Sequence, residues 1–117
     1  KFINKKIGSF ELSDSNLFLD NNKLVLNMNL LFNISNSAHL FSFLNTNKES
    51  RKEIKNIFVN IDYDFSSNEI KFNKIKINKD ELNDQEMLIL EGFNDNSSNN
   101  LIKTRHLLNK LFSAYAG

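Results

Sequence analysis

Two stretches of this chain alternate apolar and polar residues almost without error, and no feature limits its possible folds more. From Leu24 to Ile34 every even position is apolar: Leu24, Leu26, Met28, Leu30, Phe32 and Ile34. Asn27, Asn29 and Asn33 stand at odd positions between them. From Ile57 to Phe65 the odd positions are apolar, namely Ile57, Val59, Ile61, Tyr63 and Phe65, and Asn60, Asp62 and Asp64 point the other way. A period of two sends successive side chains to opposite faces of a strand, so each stretch has one greasy and one wet face. At about 3.3 Å per residue the first stretch extends roughly 36 Å, long for a small domain. The chain is built around an amphipathic sheet.

The remaining segments are read against that sheet. Lys6 to Leu12 is a candidate strand, and Asn16 to Leu19 is either a second one or its continuation past a kink at Ser13-Asp14-Ser15. Asp20-Asn21-Asn22-Lys23 has the residues that tolerate a left-handed backbone and close a tight hairpin. Between Ser35 and Asn47 the period changes to that of a helix carrying Leu40, Phe41, Phe43 and Leu44, with Ser35, Asn36 and Ser37 as candidate caps. Ser66-Ser67-Asn68 joins the second alternating stretch to a strand from Glu69 to Asn78. There Ile70 and Phe72 share a parity that Ile75 and Ile77 break, which predicts a β-bulge near Asn73-Lys74. Asp80 to Phe93 and Leu101 to Tyr115 read as helices around a polar loop at 94–100. In the last helix Leu101, Thr104, Leu108, Leu111, Phe112 and Tyr115 fall near one face. These elements predict a single α+β domain over residues 1–117: an antiparallel sheet of about four to five strands in hairpins, one face covered by two or three helices.

Composition removes several function classes. Fifteen basic residues balance fourteen acidic ones along 117 residues, leaving no footprint for nucleic acid. Without cysteine there is no disulfide framework and no thiolate metal site. The heavy use of Asn, Lys, Ile and Phe, with no Pro, Cys or Trp, matches AT-rich codons, so Asn abundance by itself is not a functional signal. His39 and His106 lie in separate predicted helices with no carboxylate at ligand spacing, so no catalytic residue, metal ligand or cofactor is assigned. Asp62 and Asp64 with Asn60 offer oxygens in a line, which suits a solvated face better than a cation cage. Lys48, Arg51, Lys52 and Lys55 could touch anionic headgroups, but Glu49 and Glu53 dilute them. Gly8, Gly92 and Gly117 form no phosphate loop, and the triplets Asn33-Ile34-Ser35 and Asn96-Ser97-Ser98 are expected by chance in an Asn-rich chain. No apolar run reaches bilayer length. The opening Lys1-Phe2-Ile3-Asn4-Lys5-Lys6 has neither an initiator Met nor a signal-peptide core, and reads as the interior of a longer chain, with any membrane anchor or targeting segment outside it.

The candidate site is therefore the apolar sheet face itself: Leu24, Leu26, Met28, Leu30, Phe32, Ile57, Val59, Ile61, Tyr63 and Phe65. Either helices close it into an ordinary two-layer core, or part of it stays open as a hydrophobic gutter for acyl chains.

The run from Arg51 to Phe65, continued by Ser66-Ser67-Asn68 and the strand from Glu69 to Ile77, resembles the carboxy-terminal region of AsmA-like proteins of alphaproteobacteria. Phe41-Ser42-Phe43-Leu44 and the ending from Leu108 to Gly117 are similar to the same region. The resemblance implies a non-enzymatic piece of a periplasmic protein, held to the inner membrane by a segment outside this chain. Its expected partners are phospholipid acyl chains and neighbouring domains of the same polypeptide, in lipid movement to the outer membrane and envelope assembly. The alternative is a closed-core interaction module of a larger envelope or surface protein, with no lipid role.

Overall fold

Among the described residues five strands form one antiparallel meander in which spatial order follows chain order: β1 (Gly8–Asp20), β2 (Lys23–Ile34), β3 (Asn56–Asp64), β4 (Glu69–Ile77) and the two-residue β5 (Asp80–Glu81). Helix α1 (Ser37–Leu44) links β2 to β3, and α2 (Asp84–Asn94) and α3 (Leu101–Ala116) follow the sheet, giving an α+β fold. The computed structural model describes residues 6–95 and 101–117, apart from the side chains of Leu101 and Ile102. Of the expected loop, residues 96–100 lie outside this range, together with the Asn96-Ser97-Ser98 triplet and the opening residues 1–5.

Turn chemistry sets the register. Asn21 and Asn22 take φ of 50° and 66°, the left-handed pair that a two-residue hairpin requires, and Asn78 and Lys79 do the same at 53° and 70°. β1 is one continuous strand. Its pairing steps from Ser13↔Asn29 to Asn16↔Asn27, so Asp14 (φ 49°) and Ser15 together oppose a single residue of β2. That bulge returns Leu17 and Leu19 to the face of Phe10 and Leu12, because Leu12 pairs with Leu30 and Leu17 with Leu26. A second bulge makes Asn73 the extra residue of β4, since Lys74 pairs with Asn60 and Phe72 with Ile61. The parity break in the sequence marks its place.

Between β2 and β3 the register aligns Leu26 with Tyr63, Met28 with Ile61, Leu30 with Val59 and Phe32 with Ile57. All eight side chains share one face. Over the β3–β4 half of it sit the helices: Ile57, Val59, Ile61, Ile70, Phe72, Ile75 and Ile77 are buried against Phe41, Leu44, Leu90, Leu107, Leu111 and Phe112. The buried stripe of α3 centres on Leu107, Leu111 and Phe112, wider than the expected face that omitted Leu107. The helix leans on α2 as well as on the sheet, and two contact surfaces need a broader stripe.

α2 begins later than the acidic run from Asp80 suggests, because the Asn78-Lys79 turn sends Asp80 and Glu81 back to pair with Ile77 and Lys76. Asn83 then caps α2. Its side chain accepts from the Glu86 N–H at 2.9 Å while Glu86 Oε1 accepts from the Asn83 N–H at 2.8 Å, a reciprocal capping box. Asn36 caps α1 through the His39 N–H at 3.0 Å. The carbonyls orphaned at the end of α1 are taken up by α3: Arg105 donates to Phe43 and Asn109 to Leu44, both at 2.5 Å. Thr46 donates to Asn109 at 2.6 Å and completes the tie. The charged segment after α1 makes one 3-10 turn at Lys48–Ser50 and is also tied down, with Arg51 donating to the Thr46 carbonyl at 3.0 Å and the Lys52 ammonium lying 4.4 Å from the Tyr115 ring centre.

Candidate functional site

The helices do not cover the whole apolar face. Along β1 and the start of β2 it runs on into solvent, with Phe10 64%, Leu12 55%, Leu17 61%, Leu19 71% and Leu24 37% exposed. Between the covered and uncovered halves lies an apolar cavity of about 390 Å³. Its floor is Leu30, Phe32 and Ile34 of β2, Ile57, Val59 and Ile61 of β3, and Ile70 and Phe72 of β4. Leu40 of α1 and Thr104, Leu108 and Phe112 of α3 form the roof, and Ile7 to Phe10 form the rim on the β1 side.

Each wall follows from local sequence. Strand alternation supplies the floor from every second residue of three paired strands, and the β4 bulge keeps Ile70 and Phe72 on that floor although Ile75 and Ile77 lie at the other parity. The roof comes from residues spaced by four on α3, Thr104, Leu108 and Phe112, which stand above one another on one helix face. At the rim the Phe10 and Phe32 rings lie 5.9 Å apart. Gly8 stands where a Cβ would fall 2.0 Å from the Asn33 carbonyl oxygen, so no side chain fits. That close approach brings β1 against the end of β2 beside the rim.

Of the residues read from the sequence as the apolar face, Leu30, Phe32, Ile57, Val59 and Ile61 line the cavity. Met28 packs against the core from beside it, and Leu26 and Tyr63 continue the face as half-buried positions. Leu24 and Phe65 lie at the open end, Phe65 in the turn after β3 and 50% exposed. Sequence reasoning missed the open stripe of Leu12, Leu17 and Leu19, and it missed Phe10, Leu40, Leu108 and Phe112 as one enclosure. The β1 residues had a signal, since Phe10 and Leu12 alternate on one side of the kink and Leu17 and Leu19 on the other. The enclosure had none, because helix placement over a sheet is not a local property.

Among the described residues no charged side chain lines the cavity, and the polar ones are Ser9 and Thr104. Such a volume falls within the roughly 300–1,000 Å³ of small-molecule sites. Its chemistry is that of an alkyl solvent, in which each buried methylene contributes about 0.8 kcal/mol.

The opposite sheet face carries Phe18, Val25, Leu31 and Phe58 towards its ends and a polar network between them. Asn27 donates to Asn60 at 3.0 Å and to Asp62 at 2.8 Å, Asn60 donates to Asn29 at 2.6 Å, and Asn73 donates to Asn60 at 2.9 Å. Asp62 is thus engaged by an amide, and Asp64 accepts from the Ser66 N–H at 2.8 Å. Among the described residues no group of three or more His, Cys, Asp or Glu could hold a metal ion. His106 lines a second cleft of about 510 Å³ between α2 and α3, with Leu88, Phe93, Lys103 and Lys110. His39 is half-buried, and its Nδ1 has no hydrogen-bond partner among the described residues. No described helix is long and apolar enough to cross a membrane. Compared with protein-family models, curated proteins and solved structures, the chain finds no match.

Proposed function

We propose that this domain handles alkyl chains without chemical conversion, receiving the acyl part of a phospholipid on the β1–β2 stripe and in the adjoining cavity. The observation that carries this reading is the uncharged cavity set next to an uncovered apolar stripe on the same sheet face. Large apolar side chains in a row on a soluble surface mark a binding site far more often than chance exposure does. The reading agrees with the role implied by the AsmA-like resemblance: a periplasmic domain of an envelope protein held at the inner membrane, moving phospholipid outward and contributing to envelope assembly, with neighbouring domains prolonging the gutter. Burial of Ile57, Val59 and Ile61 under α3 favours the second reading, a closed-core interaction module in which the cavity is a packing defect.

A fluorescent fatty acid separates the two. The 117-residue chain should bind it with a blue-shifted emission, and Leu108→Trp, which fills the roof, should weaken binding about tenfold. Leu12→Ser with Leu17→Ser should also weaken it while leaving the melting temperature nearly unchanged, because both positions are already exposed. Absence of binding by the folded wild-type chain would refute the lipid reading.

A further inference from the structure

The two edges of the sheet are built differently. On the β4 side the edge is defended: β5 pairs with Lys76 and Ile77, and the Asn94 side chain takes both the N–H (3.1 Å) and the carbonyl (2.7 Å) of Phe72, as a partner strand would. Lys71 and Lys74 stand exposed on the same strand. Lysines, short strands and side-chain covers are how soluble sheets prevent unwanted pairing. On the other side β1 is an outer strand of thirteen residues that, among the described residues, pairs only with β2. It has no Lys, Arg or Pro between Gly8 and Asp20. Its bulge leaves two regular stretches, Gly8–Ser13 and Asn16–Asp20, each of about the length of an ordinary strand.

The side chains along this edge specify what it can accept. Phe10, Leu12, Leu17 and Leu19 lie on the apolar face. Glu11 and Asp20 pair across to Leu31 and Lys23 of the polar face, and Asp14 is turned the same way, 3.5 Å from the Asn29 amide of that face. Neither Glu11 nor Asp20 makes an ion pair among the described residues, since Lys23 reaches Asp64 instead. The edge is therefore greasy on one side, while the other carries these three carboxylates with Phe18, 42% exposed, among them; between the two runs a backbone ladder with no partner among the described residues.

We propose that β1 is a docking edge for an extended polypeptide segment in which apolar residues alternate with Lys or Arg, added as a sixth strand of the sheet. Main-chain hydrogen bonds would hold the segment, and alternate side chains would set its facing. Its basic side chains meet Glu11, Asp14 and Asp20, and its apolar ones extend the stripe of Phe10, Leu12, Leu17 and Leu19. A second copy of β1 fits less well, because it would bring three carboxylates to three others. The inference is independent of the lipid reading, and a chain that binds no fatty acid could still accept the strand.

The test uses the 117-residue chain and a labelled nine-residue peptide alternating valine and lysine, followed by fluorescence polarisation. Binding is expected, with the glutamate-for-lysine peptide at least about tenfold weaker and the order reversed in Glu11→Lys with Asp20→Lys. In a strand the N–H groups point alternately to either side, so N-methylation of the valines alone or of the lysines alone must differ. One pattern should abolish binding and the other leave it. Equal loss or equal retention in the two N-methylated peptides means that side chains alone hold the peptide, and overturns strand addition. Failure of the folded chain to bind the parent peptide overturns the proposal, as does sedimentation showing the edge already filled by a second copy.

Discussion

Asn78 does the work of a small linker element with one side chain. At φ 53° it starts the turn into β5, and its amide accepts from the Lys55 N–H at 2.6 Å while donating to the Glu53 carbonyl at 3.0 Å and the Tyr115 hydroxyl at 2.9 Å. It thereby joins the approach to β3, the end of β4 and the end of α3. Asn78→Gly keeps the backbone conformation and loses the bonds, which at about 1 kcal/mol each should lower stability by about 2–3 kcal/mol in a denaturant titration. Asn78→Ala adds backbone strain and should be worse. At Asp64, desolvation pushes the carboxyl pKa up, but hydrogen bonds from the backbone N–H groups of Ser66 and Ser67 outweigh it and hold the group below its ordinary value. A depressed folded-state pKa means stability that is present above the unfolded pKa and lost as pH falls through the folded one. The stability difference between the wild type and Asp64→Asn should shrink over that acid range and stay flat around neutrality.

Within the elements, the bulges explain how an irregular sequence keeps a regular face. Removing Asn73 would let Phe72, Lys74 and Ile75 oppose Ile61, Asn60 and Val59 in unbroken register, with every apolar residue still facing the helices. That deletion should leave the domain folded, at the cost of little more than the Asn73–Asn60 hydrogen bond. Deleting Asn60 instead throws Ile57 and Val59 to the polar face and should abolish the cooperative transition. Charge in the same place is equally severe. Ile61 is 5% exposed at the centre of β3, so Ile61→Asp should lower stability by more than about 3 kcal/mol, if it folds at all. A gentler change is Asn83→Ala, which removes the capping box of α2 and should cost about 1 kcal/mol.

At the scale of the molecule the balance lies between covered and uncovered apolar surface. α3 places Leu107, Leu111 and Phe112 in the core, so deleting residues 101–117 uncovers the β3–β4 half of the face as well as the stripe that is already open. The exposed patch then exceeds the few hundred Å² that soluble monomers tolerate, by roughly the area of the lost roof. The truncated chain should bind a hydrophobic dye strongly and aggregate, whereas the full chain should bind it weakly at the β1–β2 stripe.

The sequence alone determined the strands β2 to β4, the apolar face of β2 and β3, the Asn-Asn hairpin, the bulge near Asn73 and the class of the fold, because each rests on local periodicity or on a turn conformation that few residues adopt. The Asn residues inside the strands carried no readable role, yet Asn27, Asn29 and Asn60 bond one another across strands, a relation that exists only once register is set. The start of α2 was displaced for a similar reason, since Asp80 and Glu81 are as acceptable in a first helical turn as in a strand, and the neighbouring β4 backbone chose between them. Only the tertiary structure decided how far the helices reach across the sheet. Periodicity says that a face is apolar; whether water, a helix or a ligand meets it depends on where elements distant in the chain come to rest.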